Sequence, residues 1–156
     1  MLISKIKQRW SEWSYQKMKH KLMLELTASD QSNQILAISF AFGLFVTLSP
    51  FWGLQNVIAI VVAIRFKLNK VIVVVLANLS SFPPLVPIIV FTAYQTGSLV
   101  TQGHLSESIP QLDELANLKA HFITYCVGAM VSGAALSLLL YLIVLPILNK
   151  KRPQHA

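Results

Sequence analysis

The stretch Ser49-Pro50-Phe51-Trp52-Gly53 decides the fold, because it interrupts an apolar block that runs from residue 35 to residue 64. This block of 30 residues contains no Asp, Glu, Lys or Arg, and as one helix it would be about 45 Å long. Pro50 removes a helix hydrogen bond and Gly53 permits a sharp turn, so each half is a helix of about 17–21 Å. Because a hydrocarbon core is about 30 Å thick, we expect a re-entrant hairpin over residues 35–64, with a full crossing as the alternative.

Two further uncharged blocks follow this one. Residues 71–100 are interrupted by three prolines between residues 83 and 87, and this density of proline excludes a regular helix. Residues 101–121 are polar and predict a periplasmic loop, whereas residues 122–148 are long enough for one uninterrupted transmembrane helix. The sequence therefore predicts an all-α integral membrane protein with a re-entrant hairpin, a proline-broken helix and one straight transmembrane helix.

Composition supports a membrane domain over residues 35–148. Apolar residues make up 54% of the 156-residue chain and charged residues 12%, about half the share of a soluble domain. A soluble helix carries one polar face and these blocks carry none, which disfavours the alternative of an unusually apolar soluble protein. The net charge of +7 is then better matched by anionic lipid headgroups than by nucleic acid.

Basic segments flank this predicted membrane domain. Residues 1–34 form a basic amphipathic segment, and within it apolar residues recur at helical spacing beside several lysines, which predicts an amphipathic helix over residues 1–26 on the membrane surface. The apolar positions are Ile3, Ile6, Trp10 and Trp13. A solvated basic tail is the alternative. Residues 29–33 form a turn and helix-cap cluster, and residues 149–156 form a basic tail.

The distribution of Lys and Arg predicts the topology. Residues 1–34 hold six of them, residues 65–70 hold three and residues 149–156 hold three, whereas residues 101–121 hold only one. Basic segments of a membrane protein favour the cytoplasmic side, so we expect both termini and the 65–70 loop on that side. This arrangement requires residues 35–64 to enter and leave by the same face of a multi-pass protein.

The two breaks predict a ligand site at membrane depth. Non-helical backbone at this depth is either buried by protein or lines a wet cavity, and transporters place substrate sites at such breaks. Gln55, Asn56 and Asn78 would supply the polar contacts there. In the alternative, the breaks pack together and their polar groups satisfy one another. Together with the basic loop described next, the candidate ligand- or lipid-binding residues are Pro50, Gly53, Gln55, Asn56, Arg65, Asn69, Lys70, Asn78, Pro83 and Pro87.

The loop Arg65-Phe66-Lys67-Leu68-Asn69-Lys70 lies where cytoplasmic headgroups are expected. Arg65, Lys67 and Lys70 predict binding of a lipid phosphate, such as that of a polyprenyl carrier. Plain topology determinants are the alternative, since any cytoplasmic loop carries such residues.

A ridge of small residues marks the third block. Ala129, Gly133 and Ser137 repeat every four residues, which lets another helix approach closely. That helix belongs either to this chain or to a second copy, so a homodimer through these residues is one expectation.

The sequence offers no pattern typical of an enzyme. The four histidines are scattered without ligand spacing, so no metal and no cofactor are expected. The three apolar blocks carry no Asp or Glu, and no Gly-rich phosphate loop or nucleophile elbow occurs. We therefore expect no catalytic residue and no enzymatic activity.

An ordered set of short motifs resembles a known family. The motifs are Gly43-Leu44-Phe45, Ser49 to Gln55, Arg65 to Lys70, Ala77-Asn78, Pro83 to Pro87, and Tyr94 with Gly97. Over residues 30–148 this set resembles the bacterial membrane family called domain of unknown function 2062, above all its version from Bacteroidetes-like bacteria. The resemblance implies a bacterial inner-membrane protein and supplies no catalytic residues. It also implies work on envelope lipid or glycan, because some members are fused to a glycosyltransferase.

Two functions follow as expectations. The first is handling of an envelope lipid or lipid-linked carrier, as a flippase-like transporter or its accessory, which the two breaks and the basic loop favour. The second is a non-catalytic membrane adaptor or scaffold for an envelope-biosynthesis enzyme such as a glycosyltransferase, which the small-residue ridge and the lack of acids in the blocks favour equally. The expected partners are the lipid bilayer, anionic lipids, a second copy of the chain or such an enzyme, and no nucleic acid.

Overall fold

A computed structural model describes residues 16–17, 19–25, 29–51, 53–81, 85–105 and 118–152 of the chain. Among these residues every regular element is helical, which confirms the predicted all-α class. Residues 19–25 are helical. Five further helices follow within the described part: α1 Asn33–Leu48, α2 Gln55–Arg65, α3 Lys70–Ala77, α4 Leu85–Gln102 and α5 Leu118–Lys151. A 3-10 turn, Asn78–Ser81, directly continues α3.

The predicted interruption of the first block separates α1 from α2. The Ser32 hydroxyl caps α1 by accepting a hydrogen bond from the Ile35 N–H at 3.3 Å, in the cap cluster that the sequence predicted. Ser49 is extended, with a ψ of 151°, as a residue before proline prefers, and α1 ends there. Gly53 has a φ of +87°, which glycine adopts at little cost, just before α2 begins.

The turn between α2 and α3 is tightly specified by its backbone. The Leu68 N–H donates to the Ala63 carbonyl at 2.8 Å. The Lys67 N–H donates to the Ile64 carbonyl at 3.3 Å, and this pair of bonds commonly closes a helix. Leu68 and Ala63 share one apolar cluster, which completes the motif. Asn69 Oδ1 then caps α3 by accepting from two of its free N–H groups at 3.1 Å each.

Helix α1 packs against both α3 and α5, while α5 also packs along α4 and α2 packs on α3. One buried cluster joins α1, α2 and α3 and includes Val46 and Val73. A second cluster joins α1, α3 and the end of α5 through Leu36, Ile72 and Leu148. Both helical halves of the first apolar block therefore pack on α3.

The crossing of α4 and α5 depends on glycine. A Cβ atom on Gly128 would lie 1.7 Å from the Ala93 carbonyl oxygen, and one on Gly97 would lie 1.9 Å from that of Thr124. Both distances are far below van der Waals contact, so only glycine lets the two backbones approach this closely. Close approach at small residues is how helices commonly associate in membranes.

The predicted ridge of small residues is buried within the helix assembly of the chain. Ala129 and Ser137 are 0% and 7% exposed, and Gly133 packs beside Phe45 and Leu48 of α1. The ridge therefore serves packing within the chain, the first of its two alternatives. A homodimer remains a prediction, and in this fold it would use a different surface.

Two prolines of the described residues lie inside helices. Pro87 occupies the first turn of α4, so the prediction that the second break extends through Pro87 is wrong. Proline fits the first turn of a helix because the N–H that it lacks has no partner there. Pro146 lies five residues before the end of α5. Pro83 and Pro84, the other prolines of the predicted break, lie outside the described residues.

One helix among the described residues, His121–Lys151, is long and apolar enough to cross a membrane. The segments Lys70–Ser80 and Leu85–Gln102 reach that length and apolarity as a pair, with a bend of 84° between them. Helices α1 and α2 are apolar but shorter. Large apolar side chains such as Val57 and Leu142 are 58% and 57% exposed, so the outer faces of α2 and α5 suit contact with lipid.

Candidate functional site

Two groups of polar side chains stand out from the apolar helices. The first, which we call the amide cluster, lies at the helix breaks and comprises Gln55, Asn56, Asn78 and Ser80. The second, which we call the polar end, comprises residues 29–33, 66–69 and 149–152. Each group contains residues that the sequence singles out.

Asn56 and Asn78 form a reciprocal amide pair between α2 and the 3-10 turn. Asn78 Nδ2 donates to Asn56 Oδ1 at 2.7 Å, and Asn56 Nδ2 donates to Asn78 Oδ1 at 3.4 Å. Asn78 Nδ2 also donates to the Val74 carbonyl at 2.8 Å, which holds its side chain against α3. Beside this pair, the Ser80 hydroxyl donates to Gln55 Oε1 at 3.4 Å.

The amide cluster lies at the surface in apolar surroundings. Asn56 is exposed, and so are its neighbours Leu54 and Val57. A primary amide offers two N–H donors and two acceptor positions, of which the pair uses one each on Asn56. The amides thus satisfy one another's hydrogen bonds in part, as in the alternative in which the two breaks pack together. Within the part of the chain that the structure describes, Asn56 therefore keeps hydrogen-bonding capacity for a ligand or for water.

The other residues predicted for this site are more scattered. Pro50 and Gly53 lie in the connection that precedes Gln55, the first residue of α2. Pro87 is exposed in the first turn of α4, and Pro83 lies outside the described residues. The structure therefore brings the three predicted amides together and leaves the described prolines out of their hydrogen bonds.

At the polar end, hydrogen bonds join the start of α1, the α2–α3 turn and the end of α5. Asn33 Nδ2 donates to Asn149 Oδ1 at 3.0 Å and to the Arg152 carbonyl at 2.9 Å. Gln31 Nε2 donates to the Lys67 carbonyl at 3.3 Å. Three segments that are distant in sequence therefore meet at one end of the helix assembly.

Asn69 is a structural member of the polar end. It is 6% exposed, its Oδ1 caps α3, and its Nδ2 donates to Glu25 Oε2 at 2.8 Å. Its backbone N–H donates to the Ser39 hydroxyl at 2.8 Å, which ties the turn to α1. Because both polar atoms of its side chain are engaged within the fold, we assign Asn69 to positioning the loop.

Sequence reasoning missed the roles of Asn33, Ser39 and Asn149. Asn33 is 3% exposed, and its partner Asn149 lies 116 positions along the chain. The available signal was weak: Asn33 and Asn149 each border an uncharged block, and blocks that share a membrane face bring such borders together.

Five exposed cations belong to the polar end or adjoin it: Arg65, Lys67, Lys70, Lys150 and Lys151. Arg65 and the two C-terminal lysines lie in the last turns of α2 and α5, where the helix dipole favours positive charge. Lys70 instead begins α3, where the dipole disfavours it, and Lys67 has a φ of 55°, which favours glycine. Two of the three cations predicted to bind phosphate therefore occupy positions where a lysine costs stability.

These features define a class of protein: a small chain whose described elements are all helical, with one helix among them long enough to cross a membrane and a polar end flanked by exposed cations. The chain belongs to the family described as uncharacterised protein conserved in bacteria, domain of unknown function 2062, whose family model matches residues 16–156. The family suggested by the motifs is thereby confirmed. Comparison with curated proteins and with solved structures found no match.

Proposed function

We propose that this chain is a multi-pass protein of the bacterial inner membrane that handles an anionic envelope lipid or lipid-linked carrier, as a flippase-like transporter or its accessory. The observation that carries the proposal is the polar end, where cations of the 65–70 loop and of the C-terminal segment flank one hydrogen-bonded core. Each Lys or Arg close to a membrane surface adds about 1 kcal/mol of attraction to anionic lipid. The exposed lysines at positions 67 and 70 fit this role, because neither position favours lysine for structural reasons.

The polar end also supports the proposed topology. Gln31, just before α1, is bonded to Lys67, just after α2. Helix α1 thus leads away from this end and α2 returns to it, as a re-entrant hairpin would. In this arrangement α3 and α4 form the broken span and α5 forms the straight span. Both termini then share the cytoplasmic side with the 65–70 loop.

The amide cluster would bind the lipid headgroup near the middle of the bilayer. Gln55 and Arg65 are the first and last residues of α2, so they lie about 15 Å apart along it, half of a hydrocarbon core of about 30 Å. A headgroup that enters hydrocarbon loses its hydrogen bonds to water, at a cost of several kcal/mol for each polar group. The remaining donors and acceptors of Asn56 would replace part of that hydration without adding a charge to the bilayer core.

A lipid-translocation assay tests this proposal. Purified protein is placed in vesicles of phosphatidylethanolamine and phosphatidylglycerol that contain a fluorescent phosphatidylglycerol, and movement of the probe between leaflets is followed by quenching from outside. We expect the protein to accelerate this movement. The Asn56→Ala, Asn78→Ala double variant should slow it about tenfold, which corresponds to about 1.4 kcal/mol of lost hydrogen bonding in the barrier.

The matched control for this assay is Gln34→Ala, which removes an exposed amide of α1 outside the amide cluster. It should translocate lipid like the unaltered protein. Folded protein that moves no lipid would reject the transporter.

The adaptor or scaffold for an envelope-biosynthesis enzyme such as a glycosyltransferase is the second candidate. The exposed apolar faces of α2 and α5 favour it, because side chains such as Val61 and Leu139 can pack against a partner helix as well as against lipid. Site-specific crosslinking from these two positions in native membranes distinguishes the candidates. A crosslinked envelope enzyme without lipid translocation would support the adaptor, whereas translocation by the purified protein would exclude a pure adaptor.

A further inference from the structure

We propose that the polar end binds a phosphodiester headgroup that carries hydroxyl groups, as phosphatidylglycerol does. This inference rests on the proposed handling of an anionic lipid, and it narrows that lipid by the chemistry of its headgroup. Three buried side-chain atoms of the polar end carry it, because they have no hydrogen-bond partner in the part of the chain that the structure describes. They are Gln31 Oε1, Asn33 Oδ1 and Arg152 Nη1.

The residues that hold these three atoms belong to one hydrogen-bonded group. Arg152 Nη2 donates to the Ser29 carbonyl, and Asn33 Nδ2 donates to the Arg152 carbonyl at 2.9 Å, across 119 positions of the chain. The Gln31 backbone N–H donates to Ser29 Oγ at 3.3 Å. The start of α1 and the end of α5 therefore bring two free acceptors and one free charged donor to the same end of the molecule.

The free atoms are the ones that the fold itself does not use. Gln31 Nε2 donates to the Lys67 carbonyl, and Asn33 Nδ2 donates to two acceptors, so both amide nitrogens are engaged while both oxygens remain. A buried polar atom without a partner destabilises a protein, and a charged group such as a guanidinium does so most. A ligand that pairs with all three atoms would remove this cost.

The three atoms need two kinds of ligand group. The guanidinium N–H of Arg152 needs an acceptor and attracts an anion, and a phosphodiester meets both needs. The oxygens of Gln31 and Asn33 are acceptors only, so they need donors from the ligand. A phosphodiester without a donor group would leave both oxygens unpaired.

Hydroxyl groups fit these two oxygens better than an ammonium group does. Glu25 and Asp30 are the only acidic residues in the described part of the chain, and Arg152 and the five exposed cations of the polar end outnumber them. An ammonium group would add positive charge to this end, whereas a hydroxyl group donates without adding charge. The headgroup of phosphatidylglycerol combines one phosphodiester with two hydroxyl groups.

The positions of the three residues give a headgroup access to them. Gln31 and Arg152 are half-buried as whole residues, and both side chains have several rotatable bonds. A turn of these side chains exposes their free atoms without moving a helix. Asn33 is 3% exposed and lies deeper, where the two bonds from its Nδ2 atom fix its oxygen. The exposed cations beside this group attract phosphate to it.

Competition between two matched lipids tests this inference. Purified protein in detergent micelles receives equal amounts of phosphatidylglycerol and phosphatidylpropanol, and native mass spectrometry measures how much of each is bound. The two headgroups share the phosphodiester, the charge and a chain of three carbons, but only phosphatidylglycerol has hydroxyl groups. We expect a preference of about tenfold for phosphatidylglycerol, since it makes two further hydrogen bonds.

Variants of Gln31 separate the acceptor oxygen from its structural bond. Gln31→Leu should lower the preference to about threefold, because one of the two acceptor oxygens is lost. Gln31→Glu loses the same bond to the Lys67 carbonyl but keeps an acceptor oxygen. It should therefore bind both lipids less tightly and retain the preference. The matched control is Gln34→Leu, which removes an exposed amide outside the polar end and should leave the preference unchanged.

Arg152 should act on both lipids alike, because it pairs with the phosphate that they share. Arg152→Gln should weaken the binding of each by the same factor, and Arg152→Lys, which keeps the charge, should weaken them less. Equal binding of the two lipids to the unaltered protein would overturn the inference and leave the three atoms to buried water. A preference that Gln31→Leu does not change would overturn it as well.

Other ligands give distinct results, and each overturns the inference. A preference for phosphatidylethanolamine over phosphatidylglycerol would assign the oxygens to an ammonium group. Displacement of phosphatidylglycerol by an equal concentration of soluble glycerol phosphate would assign the site to a soluble ester. Translocation without a preference for hydroxyl groups would reject this inference and retain the proposed function. A preference without translocation would reject the transporter and retain the site, so the two failures are distinguishable.

Discussion

Amide side chains mark both the polar end and the amide cluster, but two of those at the polar end are almost fully buried, whereas those of the amide cluster are half-buried or exposed. Asn33 and Asn69 are almost fully buried, whereas Asn56 is exposed. Asn33 donates to Asn149, 116 positions away, and Asn69 donates to Glu25, 44 positions away. Each bond therefore holds together segments that are distant in the sequence. The Asn56–Asn78 pair joins elements only 22 positions apart. A buried amide N–H that loses its partner destabilises the fold, while an exposed amide keeps capacity for a ligand.

The largest expected difference between the two regions is in stability. Asn69→Ala removes the cap of α3 and the bond to Glu25, and should lower the free energy of unfolding by about 2–3 kcal/mol. Asn56→Ala removes an exposed amide and should cost less than about 0.5 kcal/mol. Denaturant unfolding in detergent micelles, followed by circular dichroism, measures both. Equal costs for the two variants would remove the distinction between the regions.

Lipid selectivity should show the next largest effect, at the polar end. Arg65→Ala combined with Lys70→Ala should weaken association with phosphatidylglycerol by about 2 kcal/mol, since each cation contributes about 1 kcal/mol. Native mass spectrometry of the protein with mixed lipids measures this. Lys119→Ala, in the segment predicted to be periplasmic, is the control and should leave selectivity unchanged. If the double variant still prefers phosphatidylglycerol to the same extent, these cations act only as topology determinants.

The smallest expected effect concerns Lys67, where two substitutions separate the cost of its backbone conformation from the contribution of its charge. Lys67→Gly should raise the free energy of unfolding by about 1 kcal/mol, because glycine adopts the positive φ at this position without the penalty. Lys67→Ala loses the same charge but keeps the penalty, so it should give no such gain. Both variants should bind phosphatidylglycerol less well than the unaltered protein. Equal stability of the two variants would show that the backbone at this position is not strained.

The positions of the helices followed from local signals in the sequence. Blocks without charge mark apolar helices. Ser49-Pro50 and Gly53 mark the end of α1 and the start of α2, because proline restricts the residue before it and glycine permits a positive φ. The position of Pro87 inside α4 could not be predicted, because the sequence alone does not distinguish a proline within a break from a proline in the first turn of a helix. Helix α5 also begins earlier than predicted, at Leu118, because a helix can continue through the polar residues that border an apolar block.

The site was only half predictable. Gln55, Asn56 and Asn78 could be selected as the polar residues beside two breaks, and the structure brings them together. The pairing of Asn33 with Asn149 and of Asn69 with Glu25 depends on which helix ends meet, and that depends on packing of the whole chain.

The side of the membrane on which Lys67 lies tests the central proposal most directly. Cys126 is the one cysteine of the chain, so Lys67→Cys in a Cys126→Ser background gives a single labelling site. A membrane-impermeant maleimide should label it in inside-out vesicles and not in intact spheroplasts. His104→Cys, in the segment predicted to be periplasmic, should give the opposite pattern. Labelling of Lys67→Cys in intact spheroplasts would place the 65–70 loop outside and contradict the re-entrant hairpin.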